Sequence, residues 1–206
     1  METFLKQLAL ELITTVKTEN STIILPNKRA KIFLLHELLQ NINQPILAPK
    51  IWSIEEFISD VSQIKIIERI DLLFEFYTHY QKSSENNQES FENFANWASI
   101  VLQDFNEIDR YLLNADSLLN YLVDIKRIEH WKVESNTTPL IEKHLAFWKS
   151  LPPLYHSFYN YLKENNIGYQ GVAYRVAVEK ISKYSNNLSD YSLVFAGFNA
   201  LSQAEE

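Results

Sequence analysis

Few residues of this chain carry chemistry, and their spacing limits what they could do. The one dense basic cluster is Lys28-Arg29-Ala30-Lys31, with Asn27 before it. It follows an apolar run and opens a helical pattern. Backbone N–H groups at a helix start, together with Lys and Arg, suit a phosphate. On composition alone a solvated first turn is the simpler account. Asp124-Ile125-Lys126 matches the D-x-K part of a metal-dependent nuclease signature, whose carboxylates hold Mg²⁺ and whose Lys positions water. That chemistry needs adjacent strands. This tripeptide sits in a helical stretch with no preceding Pro-Asp, and reads as a solvated helix face.

The histidines (His36, His79, His130, His144 and His156) form no HExxH and no close pair, so they read as surface or interhelical residues. Asp104, Glu107 and Asp109 fall on the polar side of a helical seam and read as a solvated face. No GxSxG is present. Cys is absent, which excludes a disulfide framework, a thiolate zinc site and a thiol nucleophile. The only glycines are Gly168, Gly171 and Gly197, too few for any glycine-rich phosphate cradle. No metal site and no cofactor are expected within this stretch.

The elements that must position these residues come in two textures. Phe4, Leu5, Leu8 and Leu12 recur at helical spacing, giving a helix over 2–17. Thr22-Ile23-Ile24-Leu25-Pro26 reads as a strand covered on both faces, of the kind found in parallel sheets. Asn27 caps a helix over 28–41 with Ile32, Leu35, Leu38 and Leu39 as its apolar stripe. Ile46–Pro49 is a second strand candidate, and Ser53-Ile54-Glu55-Glu56 is a capping box opening a helix over 54–60.

From there the pattern is helical: 66–82, 91–113, 116–131, 138–150, which Pro152-Pro153 ends or kinks, and 154–165. The clearest seam is Phe91, Phe94, Ala98, Val101, Phe105, Ile108 and Leu112. Ser83 to Ser90 is polar and reads as a loop. Gly168 and Gly171 bracket a turn before a helix over 172–184. Tyr191–Ala196 then reads as a buried strand ended by Gly197. Ser202-Gln203-Ala204-Glu205 is another capping box, after which the chain stops. This leads us to expect a fragment of a longer protein.

The expected fold class is α/β: a parallel sheet interrupted by a large all-helical insertion subdomain, and predominantly helical by residue count. The expected division is 1–52 with 186–206 for the sheet, and 53–185 for the helices. The chain has 206 residues, 46% of them apolar and 22% charged, so it can bury a core. Its net charge of -7 argues against a small stand-alone DNA-binding module, though not against a local basic patch. No apolar run is long enough to span a membrane, and no basic-then-apolar leader opens the chain. A cytoplasmic location without membrane association is expected.

Ile23-Ile24-Leu25-Pro26-Asn27-Lys28-Arg29-Ala30 resembles the PN(R/K)RA segment near the start of AddB-like proteins, subunits of helicase–nucleases that process DNA ends in recombinational repair. Leu47–Ile51 through Ser53–Phe57 looks like a second family segment. Val194–Leu201 followed by Glu205 looks like a third, "v(D/A)GFnxLtpaE". Between them, Leu102–Leu112 and Tyr169–Arg175 are similar to bacterial PD-(D/E)xK-family proteins with such an N-terminal region. The order of these segments spans nearly the whole chain.

The resemblance implies a partial RecA-like (P-loop NTPase-like) sheet from an inactivated superfamily 1 helicase-like region. Asn27, Lys28, Arg29 and Lys31 would contact DNA where helicase motif Ia does. Ala196, Gly197, Phe198 and Asn199 would occupy a degenerate Walker B position, with Ala196 and Gly197 where active relatives carry Asp-Glu. No P-loop precedes Ile23. Both departures argue against ATP hydrolysis, in agreement with the glycine count. The implied role is a non-catalytic scaffold that positions single-stranded or end DNA for a nuclease domain beyond Glu206, where Mg²⁺ would be bound, with a helicase–nuclease subunit as a possible partner. The alternative is a helical protein–protein interaction module whose Phe91–Leu112 seam is an interface between chains. The resemblance requires Ile23–Leu25 and Leu193–Phe195 to share one sheet.

Overall fold

Ile23, Ile24 and Leu25 have no solvent exposure at all. The computed structural model describes residues 3–15, 21–42, 47–83, 89–133, 139–186 and 192–206. In chain order the elements are α1 (Phe4–Thr15), β1 (Ser21–Leu25), α2 (Lys28–Asn41), β2 (Lys50–Ser53), α3 (Ile54–Ser62), β3 (Lys65–Ile66), α4 (Arg69–Ser83), α5 (Phe91–Arg110), α6 (Ala115–Val133), α7 (Pro139–Glu164), β4 (Ile167–Gly168), α8 (Gln170–Asn186) and β5 (Ser192–Phe195). The protein is mostly helical, with parallel strands. Two compact units emerge: Met1–Gln63 with Ala177–Leu201 and Glu206, and Ile64–Val176 with Ser202–Glu205.

The first unit is built on a three-stranded sheet in the order β2-β1-β5. Both pairings of β1 are parallel, with Ile23 opposite Ile51 on one side and Val194 on the other. Ile23–Leu25 and Leu193–Phe195 thus share one sheet. Side chains alternate between the faces of a strand. Ile23 and Leu25 turn toward Leu8, Ala9 and Leu12 of α1 and Leu34 and Leu38 of α2. Phe195 meets Phe57 of α3 edge-on at 5.6 Å, and Phe57 meets Tyr184 at 6.0 Å. The α3 start is fixed by the capping box: Glu56 N–H donates to Ser53 Oγ and Ser53 N–H to Glu56 Oε2. Its end is held by Lys180 Nζ, 2.6 Å from the Ser62 carbonyl, where the helix dipole favours a cation. Tyr184 donates to Asp60 at 2.7 Å, and its phenol is pushed up to about 12 by burial and by that carboxylate.

The second unit is a helical bundle with an aromatic centre. Phe76 of α4 lies 4.6 Å from Phe158 of α7 and 5.3 and 6.2 Å from Phe94 and Phe105 of α5, centroid to centroid. Phe94, Ala98, Val101, Phe105 and Ile108 are all buried, so the helical seam is spent inside this unit. At Gly171 an added Cβ would lie 2.8 Å from Asp109 Cβ and closer still to the Asn106 carbonyl, so α5 and α8 approach there as only glycine permits.

Several expectations are corrected. The second strand is Lys50–Ser53; Leu47–Pro49 is irregular, and Ile46 lies outside the described residues. On α2 the buried positions are Leu34 and Leu38, while Ile32 is 68% and Leu39 76% exposed. Leu34 and Leu38, four apart, stack on one side of the helix, and a single sheet face covers only that width. Pro152 and Pro153 do not end the helix: α7 continues past them to Glu164. Each proline deprives the carbonyl four residues earlier of its donor. Burial of Leu151, Pro152, Leu154 and Tyr155 offsets that loss. Gly168, expected to open a turn, ends a strand, Ile167–Gly168, paired parallel with Lys65–Ile66; Ile66 thus leaves the helix expected over 66–82, which starts at Arg69. Strand β5 is half-open, with Phe195 53% exposed, because it flanks β1 on the outside of the sheet. Only half of the Ser202–Glu205 box forms: Ser202 N–H and Oγ donate to Glu205 Oε2, but Glu205 N–H donates to the Ser202 carbonyl, and 203–205 is a turn. The extra ends of the 2–17 helix and most of the Ser83–Ser90 loop lie outside the described residues.

Candidate nucleic-acid interface

The chain leaves the buried strand β1 through Pro26 and turns at Asn27, whose extended backbone lets its side chain reach forward. Asn27 Oδ1 accepts from Ala30 N–H at 2.9 Å, the bond of an N-cap. The other N–H groups of the first turn lack intrahelical acceptors by helix geometry. No acidic residue occupies this turn. Asn27, Lys28 and Arg29 are all exposed, and Lys28 and Arg29 make no ion pair among the described residues. Lys31 differs. Its Nζ lies 3.8 Å from Glu56 Oε2, each side chain being about a third exposed, so its charge is shared with the α3 capping box.

Ala196, Gly197, Phe198 and Asn199 follow β5, the neighbour of β1. Ala196 N–H donates to the Ile24 carbonyl at 3.0 Å, extending the ladder past the strand. Gly197 has φ +80, and a Cβ there would sit 3.2 Å from Phe4 Cε1 and 3.7 Å from Pro26 Cδ. The segment therefore runs beside Pro26. The two sets of residues singled out from the sequence meet at the carboxyl ends of adjacent parallel strands, where open α/β sheets hold their ligands. Nothing in Ala196–Asn199 offers a carboxylate. What the place offers an anion is two cations, helix N–H groups and the small residues beside them.

No family model matches the chain, and no curated protein does.

The other candidates resolve into structural roles. Asp124 is on α6 with Arg127 at 3.6 Å, on a helix rather than a strand. His36 bonds Gln40, His144 accepts from Trp148 Nε1, and His156 lies 2.8 Å from Asp116. The side chain of His130 lies outside the described residues. Among the described residues no group of three His, Asp or Glu could hold a metal ion, and no helix is long and apolar enough to cross a membrane.

His79 bonds Ser157 Oγ at 3.0 Å. Burial, with the Lys82 charge adding to it, holds its imidazole below the ordinary value of 6.5. As pH falls through that value the unfolded chain takes up the proton first, so folding stability drops. Urea unfolding at pH 7.5 and 5.5 should show this loss, and His79→Gln should shrink it.

Asp109 overturns the solvated-face reading. It has no exposure and accepts from Tyr155 Oη at 2.5 Å, Tyr169 Oη at 2.6 Å and Arg175 Nε at 2.7 Å. Arg175 also donates to the Ile108 and Leu113 carbonyls, at 2.9 Å each. Burial pushes the Asp109 carboxyl up, against the downward pull of both tyrosines and Arg175, and pushes the Tyr155 and Tyr169 phenols up as well. No local signal marked this residue, since its donors come from 46 to 66 positions away.

Proposed function

We propose that the sheet-bearing unit is a non-catalytic, helicase-like DNA scaffold, a partial RecA-like sheet that holds a single-stranded or end-DNA backbone for a nuclease of the AddB-like kind. The observation that carries this reading is the exposed Lys28–Arg29 pair, without an ion-pair partner among the described residues, at the N-terminus of α2, off the carboxyl end of the central strand. The shared parallel sheet of β1 and β5 supports it, because the resemblance required that pairing. Asn27 orders the turn, Lys28 and Arg29 meet phosphate, and Lys31 contributes less because Glu56 competes for it. The position after β5 carries no acid for nucleotide-bound Mg²⁺, so the role is binding without ATP turnover.

Phosphate contacts give affinity that ignores sequence and falls with salt. Fluorescence anisotropy with labelled single-stranded DNA should show weak binding at low salt. Lys28→Ala with Arg29→Ala should weaken it and flatten the log–log salt slope by about 1.4, two phosphate contacts at about 0.7 each. Absence of binding at low salt, or an unchanged double variant, rejects the proposal. The rival reading is an interface between chains along Phe91–Leu112; Phe94, Ala98, Val101, Phe105 and Ile108 of that seam are buried within one chain, which favours the DNA reading over it.

A further inference from the structure

The helical unit has an open pocket of about 240 Å³ between α5, α6 and α7. Its floor is Phe105, Ile108, Leu119 and Leu151, all buried, and its walls are the half-buried Leu118, Leu122 and Trp148. Two acids of α5, Asp104 and Glu107, stand at the same opening and are exposed. Asp104 makes no hydrogen bond or ion pair among the described residues, and partial burial pushes its carboxyl up. Glu107 accepts only a long bond, 3.4 Å, from its neighbour Asn106 among the described side chains. The charged residues lining the opening, Asp104 and Glu107, both come from α5 and are both acidic.

An apolar cavity with unneutralised carboxylates on one lip is complementary to an apolar side chain flanked by cations. Its volume is below the roughly 300–1,000 Å³ usual for small-molecule and cofactor sites, and suits a side-chain anchor. A cleft bordered by helices takes an amphipathic helix through anchors at i, i+3 and i+4. The acids repel nucleic acid here, so this is not a second DNA contact. We propose that the α5–α6–α7 pocket docks a basic amphipathic helix of a partner protein, one apolar residue entering the pocket and a Lys or Arg beside it meeting Asp104 and Glu107. None of the residues of the nucleic-acid interface is involved, so either proposal can fail alone.

The test uses the full chain and three fluorescein-labelled synthetic peptides. One carries leucines at i, i+3, i+4 and i+7 among lysines, one has the same composition with the leucines scattered, and one replaces lysine with glutamate. The first should bind at least about tenfold more tightly than the others. Leu122→Lys should cost a further factor of about ten, and Asp104→Asn with Glu107→Gln several-fold with a weaker salt dependence. Circular dichroism confirms that each variant is folded; Asp104→Asn with Glu107→Gln, on exposed positions, keeps the test alive if Leu122→Lys is not. Equal binding by the scattered or glutamate peptide overturns the proposal, as do folded variants with unchanged affinity. Self-association of the chain that Leu122→Lys abolishes also overturns it, in favour of a second copy as the occupant.

Discussion

Replacing Asp109 with Ala should lower the unfolding free energy by about 3–5 kcal/mol, the range seen when one partner of a buried ion pair is removed. The carboxylate satisfies Tyr155, Tyr169 and Arg175 at once, and Arg175 is only 22% exposed, so its guanidinium would be left largely desolvated. The pair itself need not stabilise relative to an apolar substitute; the cost lies in the orphaned charge. A double variant, Asp109→Ala with Arg175→Met, should therefore lose clearly less than the two single changes added together. Urea denaturation of the four proteins measures this cycle. Strict additivity would show that Arg175 is served by the Ile108 and Leu113 carbonyls alone.

Phe76→Ala should cost a comparable amount, about 3–5 kcal/mol, by emptying the centre of the aromatic cluster. Phe76 has no exposure and meets four rings, those of Phe94, Trp97, Phe105 and Phe158. Ile100, 63% exposed on the outer side of α5, is the control; Ile100→Ala should stay within about 0.5 kcal/mol. A Phe76→Ala loss no larger than that of Ile100→Ala, read from denaturant midpoints, would mean that the bundle collapses around the gap.

What could be read from residue order was whatever local chemistry decides. Asn27 and Ser53 each cap the helix that follows, because a short side-chain acceptor before a helical pattern has one good use. The Ile23–Leu25 run announced a doubly covered strand, and the Phe94–Ile108 spacing a buried helix face. What stayed hidden depends on remote neighbours. Strand β3 is only two residues, formed because Lys65 N–H finds the Asn166 carbonyl a hundred positions away. Pro152 and Pro153 do not stop α7, because the burial of side chains around them offsets the lost hydrogen bonds. Ile32 and Leu39 looked like core since hydrophobicity states a residue's preference, not whether a covering surface exists. At the interface, the meeting of Lys28 and Arg29 with Ala196–Asn199 required the β1–β5 pairing, which no residue near either segment encodes.

That pairing also sets an order of events during synthesis. Strand β1 emerges well before its partner on one side, Ser192–Phe195, has been made. Until then β1 presents an apolar, unpaired margin, which is an aggregation hazard and a natural target for a chaperone. Much of the bundle between them closes contacts within its own stretch and can form sooner, while closure of the sheet waits for a loop that contains the bundle. A nascent chain stalled before β5 has emerged should therefore contain a formed bundle and an unfinished sheet, with the basic turn after Leu25 present but lacking its neighbour.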